Sequence, residues 1–245
     1  MTFPAFSDWA SRSGGEGAGP RGRPPAPYDA GMTDIVDPEL EAYATAHTTA
    51  PPDHLEALAT ELLVTLERPH MMVGHLEGRY LEMLTFALSA TSVLEIGTFG
   101  GYSALAMAAG LAPGGHITTC EISHEHAAFA RRHIAGSPYA DRIEVLEGPA
   151  IDTIATLAGP FDLVFLDADK TSYLAYYEAV LPKLAPRGII AVDNTLWSGR
   201  ILDPSDTSED TVALRAFNDF VVADSRVVAV QTTVRDGVTL VRRAG

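Results

Sequence analysis

From Ser92 onward the chain alternates short β-branched runs with segments of helix length, and this alternation limits its fold more than any other feature. The runs span residues 93–97, 116–121, 142–146, 161–167 and 188–193, with helical segments near 102–110, 124–135, 150–158 and 173–184 between them. Parallel strands cannot be joined by a tight turn, and a helical crossover supplies the length the connection needs. The pattern therefore predicts an α/β fold: a doubly wound, mostly parallel sheet with helices on both faces. A helix near 209–224 leads to two more runs, 227–234 and 238–242, parted only by Arg235-Asp236-Gly237. Asp-Gly between strand runs signals a hairpin, so the sheet is expected to have seven strands with the last one antiparallel.

Ahead of the sheet, three helices are expected. Asp37-Pro38-Glu39 opens the first with an N-cap and a proline in the first turn. Pro52-Asp53 opens the second, with Leu55, Leu58, Leu62, Leu63 and Leu66 spaced for one apolar face. The third spans about 77–90 and leads into the first strand. Residues 1–31 are rich in Gly, Pro, Ser and Arg, a composition that predicts a disordered extension before a single domain over 32–245.

Composition narrows the function classes. With 32 acidic residues against 17 basic ones, the formal charge is −15, which disfavours nucleic acid or an anionic membrane as the main partner. No apolar run approaches the roughly 20 residues of a membrane span. The lone Cys120 sits in an apolar run, excludes an internal disulfide, and predicts a packed strand residue in a reducing, cytoplasmic setting.

Chemistry concentrates at the expected strand ends, where ligands bind in open α/β sheets. The first run ends Glu95-Ile96-Gly97-Thr98-Phe99-Gly100-Gly101-Tyr102-Ser103, and the second ends at Glu121. The glycines permit a tight turn against a ligand, and Ser103 opens the next helix. Glu121 is placed to accept from ribose hydroxyls. A nicotinamide-dependent oxidoreductase would use a similar turn, but its G-x-G-x-x-G spacing is missing. Glu95, two residues before the first glycine, would repel a pyrophosphate and suit the ammonium or sulfonium of a methyl donor.

The fourth run ends Asp167-Ala168-Asp169-Lys170 and the fifth ends Asp193-Asn194. Neighbouring strands would bring Asp167 beside Asp193 and Asn194. That all-oxygen set suits a hard divalent cation such as Mg²⁺, Ca²⁺ or Mn²⁺, while the lack of a clustered His/Cys set argues against zinc. Lys170, three residues after Asp167, is a candidate general base, its pKa expected to be lowered by a bound dication and partial burial.

These motifs, with Glu147-Gly148-Pro149-Ala150 and Asp193-Asn194-Thr195-Leu196-Trp197-Ser198-Gly199, resemble the cation-dependent O-methyltransferases, the catechol and caffeoyl-CoA O-methyltransferase family, over about residues 37–243. The resemblance implies a Rossmann-like sheet with N-terminal lid helices, S-adenosylmethionine as methyl donor, and a small aromatic vicinal diol as acceptor. It assigns the cation to Asp167, Asp193 and Asn194. It assigns the donor to Glu95, Gly97, Thr98, Ser103, Glu121 and Ala150, with Asp169 receiving the donor's ammonium and Met71 and Val73 covering it from a lid segment. Lys170 matches the base of catechol-type members, and a homodimer is implied. Trp197, Ser198 and Arg200 fall in the region that usually faces the acceptor. A hydroxylated nucleoside of tRNA, an acceptor used by some relatives, is the alternative that the acidic surface disfavours.

Overall fold

The computed structural model describes residues 35–245; the extension expected over 1–31 lies outside them. Helix α1 (Pro38–Ala46) begins as read, with the Asp37 side chain accepting the Glu39 N–H. Helix α2 (Asp53–Thr65) buries Leu55, Leu58 and Leu62. Leu63 departs from the expected face and is 60% exposed, because it lies about 100° round the helix from Leu62. Helix α3 (Gly74–Ala87) opens at Gly74 rather than Glu77, which puts Glu77 inside its first turn and buries it.

Seven strands form one sheet: β1 (Ser92–Ile96), β2 (His116–Glu121), β3 (Ile143–Glu147), β4 (Phe161–Leu166), β5 (Leu184–Val192), β6 (Val227–Thr232) and β7 (Val238–Arg243). Their order is β3-β2-β1-β4-β5-β7-β6. The first five pair in parallel, and β7 runs antiparallel to both neighbours, as the Asp-Gly turn predicts. Strand β5 starts at Leu184 rather than Gly188. Its predecessor, helix α7 (Tyr173–Val180), gives way to a 3₁₀ turn at Leu181–Lys183 containing Pro182, so residues expected to close the helix stand at the strand's entry.

Helices α4 (Tyr102–Gly110), α5 (His124–Ala135), α6 (Ala150–Thr156) and α8 (Glu209–Ala223) complete the layers. Because side chains alternate along a strand, the sheet feeds two cores. Val93, Ile117, Leu163 and Phe165 pack with Leu58, Leu105 and Phe129 on one face. Leu94, Ile96, Val164 and Leu166 pack with Ile154, Tyr173 and Phe217 on the other. Cys120 is buried in the second core, and burial pushes its thiol up to about 12, so it is packed and unreactive. Among the described residues no helix is long and apolar enough to cross a membrane. The chain winds outward from β1 to β3 and returns to β4 beside β1, so the strand order reverses at the carboxyl ends of β1 and β4.

Candidate active site

At that reversal the glycine turn is forced by close approach. Gly97 has φ +102°, and a Cβ there would stand 1.8 Å from the Asp167 carbonyl oxygen, so no other residue lets β1 turn past the end of β4. Glu95 lies on the same strand face as Val93 and is fully buried. Its register partner on β2 is Thr119, whose hydroxyl donates to Glu95 Oε2 and shares a 2.5 Å hydrogen bond with Thr98. Glu95 Oε1 is buried with no partner. Burial raises this carboxyl from its ordinary 4.5 to about 8, against the downward pull of Ser103 and Thr119.

Glu121 stands at the end of β2, its oxygens fixed by the Phe99 N–H at 2.7 Å and the Ser123 N–H at 2.9 Å. The Gly148 N–H donates to the Glu121 carbonyl at 2.8 Å, which brings Ala150, the first residue of α6, alongside. Over this floor lies the segment that follows α2. Met71, Met72 and Val73 line one cleft with Gly97, Thr98, Phe99, Tyr102, Ser103 and Asp167. The fold thus gathers Met71, Val73, Gly97, Thr98 and Ser103 as expected. Asp169 does not line this cleft: it is exposed, and its carboxylate accepts from the Tyr176 hydroxyl at 2.9 Å.

The second half of the site lies at the ends of β4 and β5. Their register pairs Leu166 with Val192, and the Asp193 N–H extends the ladder to the Leu166 carbonyl at 3.0 Å. Asp167, Asp193 and Asn194 are thereby adjacent. Asp193 accepts from the Asn194 backbone N–H at 2.6 Å and its amide at 3.1 Å. Lys170 reaches into the group: Nζ donates to Asp167 Oδ1 at 2.9 Å, Asn194 Oδ1 at 2.6 Å and the Tyr173 hydroxyl at 2.6 Å. The Tyr173 hydroxyl donates onward to the Asp193 carbonyl at 3.1 Å.

The lysine's expected pKa lowering is not found in this arrangement. Burial acts downward, but attraction to Asp167 and the neighbouring groups outweighs it, and Lys170 is held above its ordinary value as an ammonium. Asp193 is pushed up by burial and then by Asp167. Glu77, reaching in from α3, is also raised, first by burial and then by the nearby Asp193 carboxylate; Arg235 opposes this from 4.0 Å.

Around the rim, Trp197 places its ring 5.8 Å from Lys170 Nζ, and its buried indole N–H has no partner. Ser198 is buried and its N–H donates to Asp236. Arg200 does not project freely toward an acceptor: it donates to Asp206 at 2.7 Å and Ser208 at 3.1 Å, and it stacks 5.7 Å from the Trp197 ring. A separate hollow lined by Glu178, Phe220, Asp224 and Arg226 spends its charges on one another.

Sequence reasoning missed Thr119, Tyr173 and Glu77. Thr119 is recoverable from strand register, since it lies directly across from Glu95. Tyr173 sits three residues after Lys170, a helical neighbour. Glu77 had no local signal, because its burial depends on a sheet distant in sequence.

The donor groups fit charged ligands of two kinds. The partnerless Glu95 oxygen suits a cationic organic group. Asp167 and Asn194 offer hard oxygens around a point where a cationic nitrogen already rests, and Asp193 stands beside them, bonded to Asn194. Among the described residues no three His, Cys, Asp or Glu side chains are gathered as a metal cluster, so the set is two carboxylates completed by an amide.

The family model for O-methyltransferases matches residues 46–244. The chain is 41% identical over 180 residues to a catechol O-methyltransferase of Mycobacterium tuberculosis, covering 73% of this chain and 81% of that protein. It is 33% identical over 207 residues to a probable caffeoyl-CoA O-methyltransferase of Dictyostelium discoideum, covering 82% and 90%. The crystal structure of a Bacillus cereus O-methyltransferase in complex with SAH superposes with a TM-score of 0.75 at 31% identity, covering 83% of this chain and 96% of that one. Together with the α/β sheet and its reversal-point cleft, these matches leave no place for the oxidoreductase alternative: the chain belongs to the O-methyltransferase family.

Proposed function

We propose that the protein transfers the methyl group of S-adenosylmethionine to one hydroxyl of a small aromatic vicinal diol, with a hard divalent cation, Mg²⁺ foremost, held by Asp167, Asp193 and Asn194. The carrying observation is the convergence of those three side chains at the edge of the cleft that Met71, Val73, Gly97, Thr98 and Ser103 line. Catechol and caffeoyl-CoA names among the relatives support the acceptor class, and a relative's complex with SAH supports the donor.

Within this reading, Glu95 Oε1 receives the donor's positive charge, Glu121 and Ala150 border its ribose and base, and Met71 and Val73 cover it. Asp169, bound to Tyr176 outside the cleft, reaches the donor's ammonium only by turning inward. Asp167, Asp193 and Asn194 would hold the cation, whose charge would favour the phenolate form of the acceptor hydroxyl. Lys170, held as an ammonium, must first pass its own proton to solvent before Nζ accepts the phenolic proton. Asp167 leads the groups that hold that proton in place, with Tyr173 and Asp193 also contributing, and occupation of Asp167 by a cation would weaken the hold. The oxygen's lone pair then forms the O–CH₃ bond as the methyl–sulfur bond breaks, its electrons remaining on sulfur as a neutral thioether. The site's contribution is alignment and matched charges. Trp197 and Ser198 frame the acceptor, with Arg200 at its outer edge. A homodimer in a cytoplasmic setting belongs to the same proposal, and a solution mass of twice the 26.1 kDa chain would support the dimer.

The test is methyl transfer from S-adenosylmethionine to catechols, hydroxycinnamoyl esters and matched monophenols. Chelator should abolish transfer to the diols and Mg²⁺ restore it, with monophenols poor throughout. Full turnover in excess chelator removes the cation from the mechanism.

A further inference from the structure

We propose that Arg235, in the β6–β7 turn, is a positioning residue for the methyl donor: its guanidinium pins the Met71–Val73 segment over the donor cleft. The inference rests on the donor reading above and extends it to a residue outside the cleft.

The backbone at Arg235 is left-handed, with φ +45°, a conformation that glycine adopts freely and an L side chain resists. Strain of this kind persists where the surroundings hold the residue in place. Here Nη1 of Arg235 donates to the Met72 carbonyl at 3.3 Å and lies 4.0 Å from buried Glu77 Oε2. It also occupies the open face of Gly74, standing 3.0 Å from where a Cβ at that glycine would be. One guanidinium thus meets the end of the lid and the first turn of α3.

Val73 is packed into the core, but the lid's backbone has few ties to the rest of the fold. Its own hydrogen bonds are local, from Met71 N–H to the Arg68 carbonyl at 3.0 Å and from Met72 N–H to the Pro69 carbonyl at 3.3 Å. It is bracketed by two left-handed residues, Arg68 at φ +55° and Gly74 at φ +74°, positions where a small dihedral change swings the segment. The turn that carries Arg235 is fixed: Thr195 N–H donates to the Gly237 carbonyl at 3.0 Å, and Leu196 N–H to the Asp236 carbonyl at 2.9 Å. Arg235 therefore fastens a locally bonded lid to a base anchored on the end of β5, and Met72 and Val73 are the lid residues so held against the cleft wall.

The experiment measures SAH dissociation from the full chain, without acceptor or added metal, with hydrogen exchange of residues 69–74 in parallel. Arg235→Gly removes the guanidinium and relieves the backbone. It should release SAH about tenfold faster, the worth of one charge-assisted hydrogen bond. It should also raise KM for S-adenosylmethionine with kcat within about twofold and speed lid exchange. Gly74→Ala, which displaces the guanidinium from the other side, should shift dissociation in the same direction, and Arg235→Lys should fall between Arg235→Gly and wild type. A residue that only stabilised the fold would lower Tm and leave SAH dissociation alone. Wild-type dissociation in both Arg235→Gly and Gly74→Ala overturns the proposal, as does faster dissociation with lid exchange unchanged. If the wild-type protein itself does not bind SAH, the donor reading falls and takes this inference with it.

Discussion

At the ends of β1 and β2, Glu121 is held by two backbone N–H groups and Glu95 by a threonine hydroxyl, leaving one buried Glu95 oxygen without a partner. At the ends of β4 and β5, Asp167 and Asn194 instead grip the Lys170 ammonium, with Asp193 beside them. The first half leaves a buried carboxylate oxygen with no positive charge beside it. The second already holds a positive charge, so any incoming cation must exchange with the lysine. Burial pushes the Glu95 carboxyl toward its protonated form in the first half and does the same to Asp193 in the second, where Asp167 alone is ion-paired with Lys170.

Separating the halves by mutation gives the largest expected effect. Asp193→Asn leaves the proposed donor pocket's own residues untouched while removing one carboxylate of the proposed cation site. Methyl transfer should fall on the order of 10²–10³-fold, with SAH affinity measured by calorimetry staying within about threefold. A matching collapse of SAH binding would show that the two halves are a single unit.

Glu95→Gln tests the donor half, with an expected loss of about 10–100-fold in S-adenosylmethionine affinity. It also carries a pH signature. Glu95 has a folded pKa raised from 4.5 to about 8, so its contribution to stability is fully present below about pH 4.5 and is lost as pH rises through 8. The wild-type protein without donor should therefore lose stability from pH 5 to 8 relative to Glu95→Gln, by about 5 kcal/mol at most. Thermal melts of both proteins across that range check the sign, and parallel curves would mean that Glu95 is already ionised.

The smallest effect is expected at the rim. Arg200 is engaged with Asp206 and Ser208, so Arg200→Ala should change kcat/KM for a catechol by no more than about threefold. A larger loss confined to acidic acceptors would restore it as a substrate contact.

Much of this arrangement is legible along the chain. Strand β2 falls where the β-branched run places it, Asp37 caps α1, and Asp236-Gly237 turns the last hairpin. Gly97 is demanded by the turn, and the residue types at Asp167, Asp193 and Asn194 are what the proposed hard-cation site rests on. The misreadings share a cause. Leu63 and the onset of β5 were assigned from local spacing, while Pro182 and the fit of α2 against the core decided them. Arg200 and Asp169 have the right neighbours in sequence, but side-chain partners several residues away draw them aside.

What the residues determined unaided is the order of the elements, the turns between them and the chemical types at strand ends, because periodicity and turn conformation depend on neighbours a few positions apart. Only the tertiary structure decided which charges are buried and what compensates them. It encloses Glu77 beside Asp193, holds Lys170 as an ammonium, strands one oxygen of Glu95, and carries Arg235 across to Met72. Desolvation and Coulomb forces act through space, and they join groups that the chain separates by up to 163 residues.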